Sequence, residues 1–142
     1  MALGVAPQEI GLAPSSERRV WGVVMDTAMS DGGWYSLVVF ADGTTSLYTS
    51  AAFGILGAGA HEQVRTASDA LLGAADGYLN LFTSAKDDKV PPPGMVAIRA
   101  LTFEGPQVLV ATEDELGQGR HPASPVFHAA HEVITQTRRA SP

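Results

Sequence analysis

Three histidines, His121, His128 and His131, fall within eleven residues near the end of the 142-residue chain. Imidazoles with a carboxylate beside them are good ligands for zinc and related ions. His128 and His131 stand at i, i+3, so one helix would carry both, and they are the candidate metal ligands. The order is not H-E-x-x-H, which needs i, i+4 and a base between. Glu132 follows His128 by four residues, so a simple helical His128–Glu132 pair competes with a metal. A second constellation is Gly57-Ala58-Gly59, which leads through His61 into a helix. Free N–H groups at a helix start attract anions, which makes Gly57, Gly59 and His61 candidate ligand-binding residues. The P-loop Lys and Ser/Thr are missing, and Glu62 stands where the dinucleotide fingerprint needs a third glycine. Packing of this loop against Phe53 and Leu56 is the competing reading. The third is Arg120-His121, in the loop Gly117 to Ala123. A cation and a titratable ring on a loop bind a carboxylate or act as an acid–base couple, unless Arg120 is tied to the acids Glu113 to Glu115. There is no cysteine and no G-x-S-x-G elbow, and no cofactor is indicated.

The elements that must position these groups begin with Val20 to Ser50. Three apolar runs are separated by Ser30-Asp31-Gly32-Gly33 and Asp42-Gly43, which predicts an antiparallel meander. Asp-Gly favours a two-residue I′ turn. Val64, Ala67, Leu71, Ala74, Ala75, Tyr78 and Phe82 recur at helical spacing, which predicts a helix from about His61 to Phe82. Gly73 and Gly77 within it each cost about 1 kcal/mol relative to Ala. Their usual compensation is close approach, to the sheet or to a second copy. Thr83 to Gly94 reads as a linker with a stiff Pro91-Pro92-Pro93. Met95 to Phe103 and Gln107 to Thr112 read as a fourth and fifth strand. In the fourth, Val96, Ile98 and Ala100 face one way and Leu101 and Phe103 the other, with Arg99 among them. Asp26, a carboxylate within the first strand, belongs at an edge, at a bulge or beside a partner, for which Arg99 in the fourth strand is a candidate. Ser124-Pro125 opens the last helix, whose Val126, Phe127, Ala130, Val133, Ile134 and Thr137 share a side. His131 falls on its border. The expected fold is α+β: a five-stranded antiparallel sheet, βββ-α-ββ-α, with two packed helices.

One domain, 20–139, is expected after a flexible N-terminal segment, 1–19. A formal net charge of −6 argues against a basic nucleic-acid footprint and against an electrostatic membrane site. No apolar run reaches the ~20 residues of a spanning helix, and no signal peptide is evident, so a cytoplasmic setting is expected.

The element order resembles profilin-like and roadblock/longin-like α+β domains. The strings VVMDTAM, DGTTSLYTS, GAGAHEQVR and GQGRHPASPVFHAAHEVITQ resemble a family of small uncharacterised bacterial proteins without an assigned activity. That resemblance implies a bacterial cytosolic setting and transfers no catalytic residue. Two functional readings follow. One is a non-enzymatic interaction or regulatory domain, working as a homodimer or with a protein partner. The other is a ligand-binding domain or enzyme whose site lies between the Gly57–Gly59 and Gly117–Ala123 loops.

Overall fold

The apolar runs after Arg19 form three strands, β1 (Val20–Ala28), β2 (Trp34–Phe40) and β3 (Thr45–Thr49). They pair antiparallel as consecutive neighbours. Fold and site are described by a computed structural model over residues 19–29, 32–49, 54–55, 61–85 and 91–140. The expected flexible segment before residue 19 and the Gly57–Gly59 loop lie outside those residues.

The turn at Asp42-Gly43 differs from the two-residue expectation. The Phe40 N–H donates to the Thr44 carbonyl at 2.9 Å, and the Gly43 N–H to the Phe40 carbonyl at 3.1 Å. Gly43 has φ +99°. This is a three-residue loop, a type I turn closed by a glycine in the left-handed region. The Asp42 carboxylate accepts the Thr44 N–H at 2.9 Å and holds the turn. Between β1 and β2 the bonding repeats, with Met29 N–H on Gly33 and Gly32 N–H on Met29.

The chain continues through β4 (Gly54–Ile55), α1 (Glu62–Gly77), a 3₁₀ turn (Leu79–Leu81) and β5 (Thr83–Ser84). The hairpin β6 (Met95–Thr102) and β7 (Gly105–Thr112) follows, then α2 (Glu113–Gly117) and α3 (Ser124–Ala140). All strands join one sheet in the order β4-β3-β2-β1-β6-β7-β5. The five long strands are the expected ones. Among the described residues the sheet nevertheless has seven, because β4 pairs with β3 at one end of the order and β5 with β7 at the other. Two-residue strands carry no readable period, and their effect is to leave both edges short. The first helix is also shorter than expected, since it stops at Gly77 and a 3₁₀ turn carries the chain to Phe82.

Both long helices lie on one face of the sheet and against each other. Val23, Met25, Leu37, Val39, Val96, Ile98 and Ala100 meet Val64, Leu71, Leu72 and Ala75 of α1 and Val126, Phe127, Ala130 and Val133 of α3 in a single core. Asp76 anchors the end of α1, its carboxylate accepting the Arg19 N–H at 2.8 Å and the Val20 N–H at 3.3 Å. Gly73 and Gly77 are exposed, and the site of a Cβ on Gly77 has nothing within 4 Å. The close approach to the sheet that would explain Gly77 does not occur. In β1, by contrast, Gly22 sits beside a register shift, and a Cβ there would meet Phe40 Cδ1 at 2.9 Å.

The opposite face carries a smaller apolar cluster, Trp21, Val24, Phe40 and Leu101. Beside it lies the charged pair expected from sequence. Arg99 Nη1 donates to Asp26 Oδ2 at 2.8 Å, with both side chains at most 4 % exposed. The Ser36 hydroxyl donates to the other oxygen of the carboxylate. The three side chains cross β2, β1 and β6, so the cluster clamps the centre of the sheet. Removing one member of a buried pair strands the other in a dry setting. Asp26→Leu and Arg99→Met are therefore each expected to cost about 3–5 kcal/mol, and the double substitution to recover most of that. A double-mutant cycle by urea unfolding checks this.

Candidate functional site

The loop before α3 spends its polar groups on its own shape. The His121 Nδ1 accepts the Ala123 N–H at 2.9 Å, and the His121 N–H donates to Ser124 Oγ at 3.3 Å. The ring thereby closes a turn that delivers Ser124 to the start of the helix. Arg120 Nη2 reaches Asp114 at 2.5 Å, and the pair is exposed. Arg120 is thus tied to the acidic step, as one of the two sequence readings has it. That step is a short helix rather than a plain turn. The Thr112 hydroxyl caps it, accepting the Glu115 N–H at 3.2 Å and donating to the Glu115 carboxylate at 2.9 Å. Leu116 is fully buried and pins α2 to the core.

His61 lies elsewhere. It is the N-cap residue of α1 and makes no side-chain cap bond. With Gln63 it faces Gln136 and Arg139 across a cleft of about 460 Å³. Those partners belong to the last turns of α3, whereas His121 stands just before its first residue. The intervening helix is about 20 Å long at 1.5 Å per residue. His61 and the Arg120–His121 loop therefore sit at opposite ends of α3 and share no site.

The two helical histidines also diverge. His128 Nε2 lies 3.4 Å from the Gly117 carbonyl, toward α2. His131 Nε2 lies 3.4 Å from the Tyr35 hydroxyl, toward the sheet. The Phe127 ring lies against His131, tilted by 49° with 4.3 Å between centroids, and stands 6.2 Å from His128. The expected His128–Glu132 pair is absent as well, because Glu132 accepts from the Gln136 amide at 2.8 Å. Among the described residues no three His, Cys, Asp or Glu side chains gather to hold a metal ion. The spacing i, i+3 makes the two rings neighbours on the helix, but each is turned to a partner of its own.

What brings titratable groups together is the end of the sheet under α3. Tyr35 and His131 meet there edge to face, with centroids 6.3 Å apart. Thr27, the cross-strand neighbour of Tyr35, is fully buried beside it. Burial raises the Tyr35 phenol above its ordinary range; Thr27 and Arg138 work against that shift and Glu113 works with it. Burial lowers the His131 imidazole, and His128 adds to the effect. The phenol stays protonated and the imidazole neutral, so the neutral pair is the favoured state. The border position of His131 on its helix was the only sequence signal for this cluster, and Tyr35 gave none. A wider cleft of about 760 Å³, lined by Asp42, Glu62, Arg65 and Asp69 among others, opens between the β2–β3 turn and α1.

No protein-family model, no curated protein and no solved structure matches the chain. No helix among the described residues is long and apolar enough to cross a membrane.

If the His121 ring serves the turn, His121→Ala lowers stability by about 1 kcal/mol, the net value of one hydrogen bond. Arg120→Ala, which removes an exposed ion pair, changes it by less than about 1 kcal/mol. Chemical denaturation of the two variants checks the difference.

Proposed function

We propose that this protein is a small non-enzymatic interaction or regulatory domain, acting as a homodimer or with a protein partner in a bacterial cytosol. The observation that carries this reading is the outward face of α1. Thr66, Ala70, Gly73 and Gly77 are all exposed there and fall on one stripe of the helix. A mid-helix glycine such as Gly73 costs about 1 kcal/mol relative to alanine, and the sheet offers no offset on that side. A smooth stripe of small residues lets a second helix approach closely. The groups suited to chemistry add support from the other direction. His121, Arg120 and Asp26 are each engaged in holding the fold together. The likeness in element order to profilin-like and roadblock/longin-like domains belongs to the same reading. A second reading, binding of a small anion, draws on the His61–Arg139 cleft at the start of α1. A rise in melting temperature with added phosphate, lost in Arg139→Gln, would favour it.

Light scattering coupled to size exclusion tests the first reading. Twice the chain mass is expected at tens of micromolar, with Ala70→Lys returning a folded monomer. A wild-type chain that is monomeric throughout overturns the homodimer. A dimer that survives Ala70→Lys overturns the α1 face.

A further inference from the structure

We propose that His131 and Tyr35 form a pH-sensitive clasp that holds α3 on the sheet, closed while the imidazole is neutral and loosened when it takes up a proton. This goes beyond the interaction reading and does not depend on it.

The geometry places the ring at a junction. His131 is in the middle of α3, half-buried, with the tilted Phe127 ring against it and the Tyr35 phenol at 3.4 Å from Nε2. Tyr35 stands near the start of β2, so the contact joins helix to sheet at the end where β1, β2, β6 and β7 meet α2 and α3. With its proton on Nδ1, a neutral ring accepts the phenolic hydrogen at Nε2. A second proton ends that acceptance and leaves a cation against two aromatic rings in a partly dry setting. The charged and titratable groups around the pair do little to welcome it. Arg138 on α3 is cationic and His128 works against a proton on the ring, while the carboxylate of Glu113, from α2, acts on the phenol and is opposed there by Arg138. Neither α1 nor β3 brings a charge that moves the ring. Burial accordingly holds the imidazole below its ordinary range.

The sign follows from linkage. The undocked helix binds a proton more readily than the docked one, so the contribution of the clasp is full above the ordinary imidazole pKa of about 6.5 and is lost as the pH falls below it. Within that window the opening equilibrium rises by up to about tenfold per pH unit.

Amide hydrogen exchange on the whole chain, corrected for the intrinsic pH dependence of exchange, measures this directly. Protection across α3 is expected to fall between pH 7.5 and pH 5.5 relative to β1 and β6, by up to about tenfold in all, nearly the whole of it below pH 6.5. His131→Gln, which keeps an acceptor that does not titrate there, is expected to abolish the difference, and His128→Gln to retain it. Tyr35→Phe keeps the titrating ring but removes the donor, so α3 is expected to be less protected already at pH 7.5. Equal protection of wild-type α3 at both pH values overturns the clasp. So does a pH-dependent loss that persists unchanged in His131→Gln. Should His131→Gln fold poorly, the ring proton of His131 followed by NMR decides, since a titration midpoint at or above 6.5 also overturns it.

Discussion

The structure depends on the pairing of β1 with β6. These strands come from distant parts of the chain, and their register joins a three-stranded meander to a hairpin as one sheet. Backbone hydrogen bonds would accept several registers between two apolar strands. The charged pair does not, because Asp26 and Arg99 must be buried together with Ser36 beside them. A one-residue slip would turn one of the charges to the helix side of the sheet. Whatever the pair contributes to stability, it makes the alternatives costly.

Once that register is set, the positions of the remaining groups follow. Alternation along β1, β2 and β6 directs Val23, Met25, Leu37, Val39, Val96 and Ile98 to one face, and only there do α1 and α3 find an apolar floor. The two helices then lie side by side, with the start of α1 against the end of α3. This arrangement puts His61 at one corner of the molecule and Arg120–His121 at another. It also carries His131 over the first residues of β2, where Tyr35 stands.

Much of this was legible in the sequence, and the exceptions have definite causes. The five long strands, both long helices and the inward faces of β6 and α3 follow from period and composition. The Asp26–Arg99 pair was one of the outcomes open to a carboxylate within a strand, beside an edge or a bulge, and Arg99 was its candidate partner. The two-residue edge strands could not, since they have no period and owe their form to the neighbours they pair with. The α2 helix did have a signal, Thr112-x-x-Glu115 with three acids in the first turn, but five residues are too few for an apolar stripe. For the site, residue types alone suggested a cluster of three late histidines, whereas the His121 ring closes its own loop and the two helical rings each find a separate partner. Tyr35 was silent, since nothing local distinguishes a strand tyrosine that meets a helix from one that meets water.

Asp26 and Arg99 lie 73 positions apart, and that separation has a consequence for synthesis. At ~5–20 residues per second, the aspartate is made roughly 4–15 s before the arginine. Throughout that interval the first strand of the meander has one bare margin, and its carboxylate has only the Ser36 hydroxyl and water to answer it. The nascent meander can curl and test partners, but its central seam cannot shut until codon 99 has been read and the hairpin has cleared the ribosome. The ion pair thus acts as the final fastening of the sheet rather than as its seed.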